Sequence, residues 1–389
     1  MQRTLLALTA STFILPTTVS AIELYKDDTS EVSMGGYLQA HAFAKDGDSD
    51  MSDGASRINF NFNYDAGNGW TAVGGIEWGL NLISNNDQLG IADGGNSLSS
   101  DPYDDSTLTN RLGYIGLKHD VYGEFTVGKQ WSAYYDVTHV TDYLMVWGGE
   151  GSGTFNYHSD GGFSGTGRAE KSFIYRNSVS DFDFAVQLQA KSGDTIQLCN
   201  VDEGESQVNC TERFEQNADA ELAYDYGYGV SMVYHAPYEI DLGVAYNRTE
   251  LDVDGTVNVA GLNDDYTDAL AFSANYGKYA DAIYLAAVYY KGTNHEIDDS
   301  GEIFDSKGTE IYGHYMPNED WRLYAGYNRL KTDDSNYDGL YDLEYYAVGA
   351  SYIMSKNVEL FTEHRFDSTV YANGDKADDI YSVGIRLYL

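Results

Sequence analysis

The sequence predicts an all-β chain, a sixteen-stranded antiparallel barrel that crosses a membrane. Three observations carry this. From about Glu31 to Leu389, roughly sixteen segments of about ten residues alternate apolar with polar or tiny side chains. The turn-forming clusters between these segments are short and long by turns. Finally, 35 Tyr and 41 Gly stand against only 4 Pro. That balance suits many strands, because proline cannot donate to a β ladder, glycine serves bends, and tyrosine suits membrane borders and wet walls. A mean hydropathy of -0.42 is no obstacle, since lipid-facing residues occupy only every second position and the average cancels.

The elements follow in chain order. Residues 1–21 read as a removed secretory signal: Arg3 gives a positive start, Leu5 to Leu15 a short apolar stretch, and Val19-Ser20-Ala21 a small-residue cleavage site. The stretch is too short for a membrane helix, and no later run of about eighteen apolar residues occurs. Residues 22–389 carry no Pro- or Ser-rich linker and no change of period, so one barrel domain is expected. Its strands are placed at 32–43, 56–64, 70–80, 110–119, 124–131, 171–177, 182–191 and 226–235. The second half supplies 240–248, 268–276, 283–291, 309–316, 321–330, 343–353, 358–366 and 379–389.

Faces are legible in individual strands. Ile58, Phe60, Phe62 and Tyr64 alternate with Arg57, Asn59, Asn61 and Asn63; Phe182, Phe184, Val186 and Leu188 lie opposite Asp183, Gln187 and Gln189. In the last strand Tyr381, Val383, Ile385, Leu387 and Leu389 share one face, and Ser382, Gly384, Arg386 and Tyr388 the other. The tight connectors are 66–69, 120–123, 277–281, 317–320 and 355–357, with longer acidic ones between them. Such barrels place short turns on the periplasmic rim and long loops outside, and an even strand count puts both termini on the short side. At about sixteen strands the bore is too wide for side chains to fill, which predicts a water-filled lumen.

Charge narrows the function. A formal net charge of -38 argues against nucleic acid as partner, because a phosphate backbone rewards Lys and Arg. The acids gather between strands, at 46–53, 101–105, 202–205 and 333–338. Solvated loop charge is the plain reading, although such loops also gather cations or divalent-bridged lipid headgroups. Cys199 and Cys210 lie in one of these loops, and in an exported protein a short disulfide is expected rather than free thiols or a metal site. Asp46, Asp48 and Asp50 open like a calcium loop, but Met51 and Arg57 occupy the positions that need Gly and Glu. No catalytic constellation, metal site or cofactor motif is predicted: the eight His are scattered singly and no His-Glu-x-x-His occurs.

The connector from Ser132 to about Lys171 is unusual, with eight glycines in roughly forty residues; a loop of that length is uncommon unless functional. The landmarks around it, Gly116-Leu117-Lys118, Gly123 to Lys129, Tyr135-Asp136-Val137, Thr141-Asp142, Gly148-Gly149-Glu150, Tyr175 to Ser178 and Phe184 to Gln187, come in an order that resembles the general, non-specific trimeric porins of Gram-negative outer membranes. The likeness covers the chain from Glu23 onward and is densest between Arg111 and Gln187.

The resemblance implies that the third long loop folds inward and narrows the pore, its acids facing an arginine cluster. On this chain the pattern falls on Arg57, Arg111 and Arg168 for the arginines, Asp142 and Glu150 for the loop acids, and Glu77 for a further wall carboxylate. A second loop acid of the family falls on Val146, a first-strand lysine on Tyr37, and the usual terminal Phe on Leu389. The resemblance further implies a homotrimer in outer-membrane lipid and lipopolysaccharide, passing ions and small hydrophilic solutes down their gradients. Fixed charges across a narrow wet gap make a transverse field that admits small hydrated dipoles and retards bulky or apolar molecules. The acidic balance adds an expected preference for cations. Two other readings are open at this level. In a sugar-selective channel Tyr37, Trp131 and Trp147 would form a stacking track; in a surface adhesin or receptor the acidic loops would be the working part.

Overall fold

The computed structural model describes residues 21–83, 108–157, 159–191, 195–197, 221–254, 265–298, 303–333, 341–371 and 374–389. The signal segment 1–20 and the pair Cys199 and Cys210 lie outside the described residues. Sixteen strands form one closed antiparallel wall. They are β1 (Ser30–Lys45), β2 (Arg57–Gly67), β3 (Trp70–Leu80), β4 (Leu108–His119), β5 (Gly123–Trp131), β6 (Arg168–Val179), β7 (Phe182–Gln189) and β8 (Glu221–Ala236). There follow β9 (Ile240–Asp254), β10 (Tyr266–Tyr276), β11 (Ile283–Ile297), β12 (Ile303–Asn318), β13 (Trp321–Thr332), β14 (Asp342–Ser355), β15 (Val358–Asp367) and β16 (Ile380–Tyr388).

Each strand pairs with its neighbours in sequence, and β16 returns to β1 in a register running from Ile380 opposite Lys45 to Tyr388 opposite Tyr37. Closure satisfies the backbone throughout, the condition for crossing hydrocarbon. All sixteen expected strands are present, several longer than the sequence placed them. The strand Ile303–Asn318 has 16 residues where about ten suffice to span a bilayer, so its outer end continues as a wall above the membrane. Three short strands were not foreseen: Ile22–Lys26 pairs with the start of β1, Asp48–Asp53 folds back on its far end, and Thr195–Gln197 joins the outer part of β8.

Alternation sorts the two faces as expected. Along β7, Phe182, Val186 and Leu188 are exposed, and Asp183, Ala185, Gln187 and Gln189 are buried. Along β16, Tyr381, Val383, Ile385 and Leu387 face outward. One tight turn shows how local sequence sets the short rim: Gly67 pairs with Trp70, and the two residues between, Asn68 (φ 55) and Gly69 (φ 81), both take left-handed backbone. Asn-Gly is the pair that most readily adopts such a two-residue hairpin.

The loop between β5 and β6 lies inside the barrel. Its first turn is helical, Tyr135–Thr138, continued by a 3-10 turn His139–Thr141. From there Val137, Val140, Met145, Val146 and Trp147 pack against Ala245, Ala269, Ala271, Ala286, Tyr312 and Tyr324 of the wall. Small alanines on β9 to β11 leave the volume that the loop side chains fill. The apolar core of this protein therefore sits within the bore, between the loop and one side of the wall.

One approach of loop to wall is backbone on backbone. A Cβ on Gly308 would lie 2.4 Å from the Gly151 carbonyl oxygen, closer than such atoms come. Gly308→Ala is expected to lift the loop from β12, lowering the thermal stability of the purified barrel by about 1–3 kcal/mol and raising the protease sensitivity of the loop. Unchanged melting and cleavage would show that the loop does not bear on this wall.

Candidate functional site

The loop is tied to the wall by carboxylates that accept its amides. Glu363 of β15 accepts from three successive backbone N–H groups, Met145 at 2.6 Å and Val146 and Trp147 at 3.1 Å. Glu310 of β12 accepts from the Thr141 hydroxyl at 2.6 Å and the Gly151 N–H at 2.9 Å. Tyr284 donates to the Val140 carbonyl at 2.8 Å, and Gln39 Nε2 to the Met145 carbonyl at 2.9 Å. These fix the loop across the bore, its apolar residues joined in one cluster with wall residues of β9 to β16 and Phe43 of β1.

The three expected arginines stand on β2, β4 and β6. Because β2, β3 and β4 are adjacent and inward positions recur every second residue, Arg57, Glu77 and Arg111 converge. Arg111 Nε donates to Glu77 at 2.8 Å, with Arg111 only 3 % exposed. Arg57 donates through Nε to the Ala55 carbonyl at 3.1 Å and lies over the Tyr37 ring at 4.7 Å. Arg168, at the start of β6, meets Asp160 at 3.0 Å, and Lys129 joins the same carboxylate at 3.0 Å. Burial works to raise the Asp160 carboxyl, but Arg168 and Lys129 together outweigh it and hold it well below the usual carboxylate range.

A stacked series carries the wall onto the loop. Arg168 lies 5.5 Å from the Trp131 ring, Trp131 stacks on Tyr135 at 3.9 Å and 17°, and the Tyr135 hydroxyl donates to Asp142 at 2.7 Å. Burial pushes the Tyr135 hydroxyl well up, the Asp142 charge adds to this, and Arg57 opposes it from the wall. Arg57, Arg111, Arg168, Glu77, Asp142 and Trp131 thus belong to one neighbourhood.

Two of the sequence candidates lie elsewhere. Gly148 and Gly149 (φ 115 and 93) turn the chain away, so that Glu150 meets Arg365 at 3.6 Å and accepts a short hydrogen bond from Tyr345. Its carboxyl is pushed up by burial, with Arg365 opposing. Glu150 therefore anchors the loop to β14 and β15, away from the three arginines. Trp147, 2 % exposed, is enclosed in the core beneath the loop and offers no ring face to a solute. Val146, at the position of the family's second loop acid, packs in the same core.

Sequence reasoning passed over Arg386, Arg365, Glu310 and Glu363. Arg386 sits on the inward face of β16, its guanidinium 4.2 Å from the centroid of the Tyr37 ring, so a cation stands beside the position where the family's lysine is missing. The signal was available, since Glu363 and Arg365 in β15 and Arg386 in β16 all fall on the wet parity of an alternating strand. Which loop atoms they would meet was not available. Lower in the bore, Arg322 pairs with Glu359 at 3.0 Å and lies over Tyr279 at 4.5 Å.

Comparison with known proteins gives the family and the fold. The sequence model of the Gram-negative porins matches residues 6–370. Outer membrane protein S2 of Salmonella typhi is 27% identical, and outer membrane porin F of Escherichia coli strain K12 is 26% identical, each alignment covering 99% of both chains. Among solved structures, Salmonella typhi OmpF in complex with daunomycin superposes with a TM-score of 0.69 at 22% identity, covering 95% of this chain and 100% of that one. The trimer form of Vibrio cholerae OmpT gives 0.59 at 17% identity, covering 93% and 100%.

The enclosed Arg111–Glu77 pair yields a thermodynamic expectation. Arg111→Ala leaves the Glu77 carboxylate without its partner and is expected to cost about 3–5 kcal/mol, whereas removing both side chains costs clearly less. Urea unfolding of the single and double variants in lipid measures the difference; equal losses would mean that the pair is open to water.

Proposed function

Because the chain belongs to the Gram-negative porin family and forms its closed sixteen-stranded barrel in the outer membrane, we propose that it is a general diffusion channel for ions and small hydrophilic solutes, cation-preferring for inorganic ions. The observation that carries this reading is the inner loop. Fixed to β15 and β12 by Glu363 and Glu310, it carries Asp142, which accepts from Tyr135, and Tyr135 stacks on Trp131 beside Arg168, while Arg57 and Arg111 stand on β2 and β4. A hydrated solute crossing between charges of opposite sign aligns its dipole in their field, and one that must shed water is retarded. Passage is passive, with no covalent step.

On this reading residues 1–21 direct export and are removed, and the working form is a homotrimer seated in lipid and lipopolysaccharide. The trimer form of the V. cholerae relative supports the assembly. Cation preference rests on the net charge of -38, with the acids gathered between the strands, a balance that raises the local concentration of cations. A sugar track gains nothing from Trp131, because Tyr135 and Arg168 already stand against its ring.

Planar bilayers with a potassium chloride gradient are expected to give a reversal potential of cationic sign; anions carrying more current would overturn that preference. Liposome swelling is expected to rank neutral sugars by size alone. Asp142→Ala is expected to change conductance or selectivity without unfolding the barrel, and identical currents would remove Asp142 from the constriction.

A further inference from the structure

Tyr37 and Arg386 set this constriction apart from the pattern that the sequence resembles. Two guanidinium carbons, of Arg57 from β2 and Arg386 from β16, lie 4.7 and 4.2 Å from the centroid of the one Tyr37 ring. The tyrosine ring holds both cations by its π face. Other wall arginines are matched: Arg111 by Glu77, Arg168 by Asp160, Arg322 by Glu359 and Arg365 by Asp367. Among the described residues neither Arg57 nor Arg386 makes a direct ion pair: the acids that act on them at longer range, Glu77 and Glu359, the latter opposite Arg386 in register, are bonded to Arg111 and Arg322. The hydrogen bonds of Arg57 and Arg386 go to neutral oxygens, the Ala55 carbonyl for Arg57, and the Gln39 side chain and the Met145 carbonyl of the inner loop for Arg386.

The register explains why they meet. Tyr388 pairs with Tyr37 and Arg386 with Gln39 across the closing seam, while Tyr37 pairs with Arg57 on its other side. Side chains of β16, β1 and β2 therefore converge inward at one level, beneath Met145. Arg111 Nη2, close by on β4, is buried and without a hydrogen-bond partner among the described residues. Guanidinium forks match the paired oxygens of a carboxylate in plane and spacing.

We infer that Arg57 and Arg386, held on Tyr37, form a binding site in the bore for small organic carboxylates, dicarboxylates bridging the two guanidinia. The site deepens the channel reading and rests on it. Inorganic ions respond to the acidic balance as a whole, but a carboxylate-bearing solute small enough to enter meets, at one level, two guanidinia that no carboxylate contacts directly. Its residence there, rather than its entry, distinguishes it from a neutral solute of the same size.

Succinate and succinamide, similar in size and different in charge, make the test. Added to single wild-type channels in constant potassium chloride, succinate is expected to produce resolvable current block and succinamide none. Arg386→Gln and Tyr37→Leu are each expected to weaken the succinate block roughly tenfold or more, and Arg386→Lys to restore part of it. Arg248→Gln, at the outer rim over Tyr266, is expected to leave it unchanged. A wild-type channel that conducts potassium chloride but is blocked equally by both compounds, or a block that survives Arg386→Gln, overturns the site and leaves the channel reading standing. A wild type that does not conduct at all overturns both.

Discussion

In hydrocarbon a backbone amide without a partner has nothing to bond to, and the seam between β16 and β1 removes the last open edge. The rest of the molecule follows from that closure. Sixteen strands at the tilt a barrel requires enclose a bore too wide for wall side chains to fill. The interior is then a problem of its own, and the chain answers it with the loop 132–167, which brings its own apolar residues into the bore. The core at Val137, Val140, Met145 and Trp147 is consequently shared between the loop and the wall from β9 round to β16 and Phe43 of β1, and the arginines Arg57, Arg111 and Arg168 stand on β2, β4 and β6.

Holding a loop in a wet bore needs more than apolar contact, because each of its amides could instead bond to water. Glu363 and Glu310 address this by taking five loop donors between them, and Glu150 adds an ion pair with Arg365 from the loop side. Anchor and field are thus divided among different carboxylates. Those on β12 and β15 fix position, while Asp142 takes the hydroxyl of Tyr135, whose ring stacks on Trp131.

The barrel was legible in the sequence because a lipid-facing strand cannot hide its period: an outward charge or an inward-only apolar run would fail at once. Strand ends were less so. Above the membrane both faces of β8, β9, β11 and β12 are wet or covered by loops, and the alternation that marks a boundary fades. Within the site, Arg57, Arg111, Arg168 and Asp142 were placed through an ordered likeness, and the structure gathers them. Glu150 shows the limit of that method. The acid follows the glycine pair as in the resembled pattern, but the backbone of Gly148 and Gly149 aims it at β14 and β15, a direction that no residue type encodes. Trp147 shows a second limit, since a tryptophan beside a pore is equally suited to line it or to be packed beneath the loop, and only three-dimensional contacts decide.

Arg386 makes the same point in the other direction. Read position by position, the chain has exchanged a wall cation for Tyr37 and a loop acid for Val146, and its constriction should carry a weaker field. Read through the register, a cation stands on the neighbouring strand, at the penultimate inward site of β16, and Tyr37 at the lysine position is the surface on which it rests. The loop acid has no such replacement, because Val146 is committed to the core and its amide to Glu363. Charge at this level is therefore not restored but tilted: positive groups are kept and one negative group is lost, inside a protein whose outer loops are strongly acidic. On the proposed channel reading the two signs act in succession, the acids at the mouth and the arginines within, so residence inside is set by the arginines rather than by the net charge of the chain.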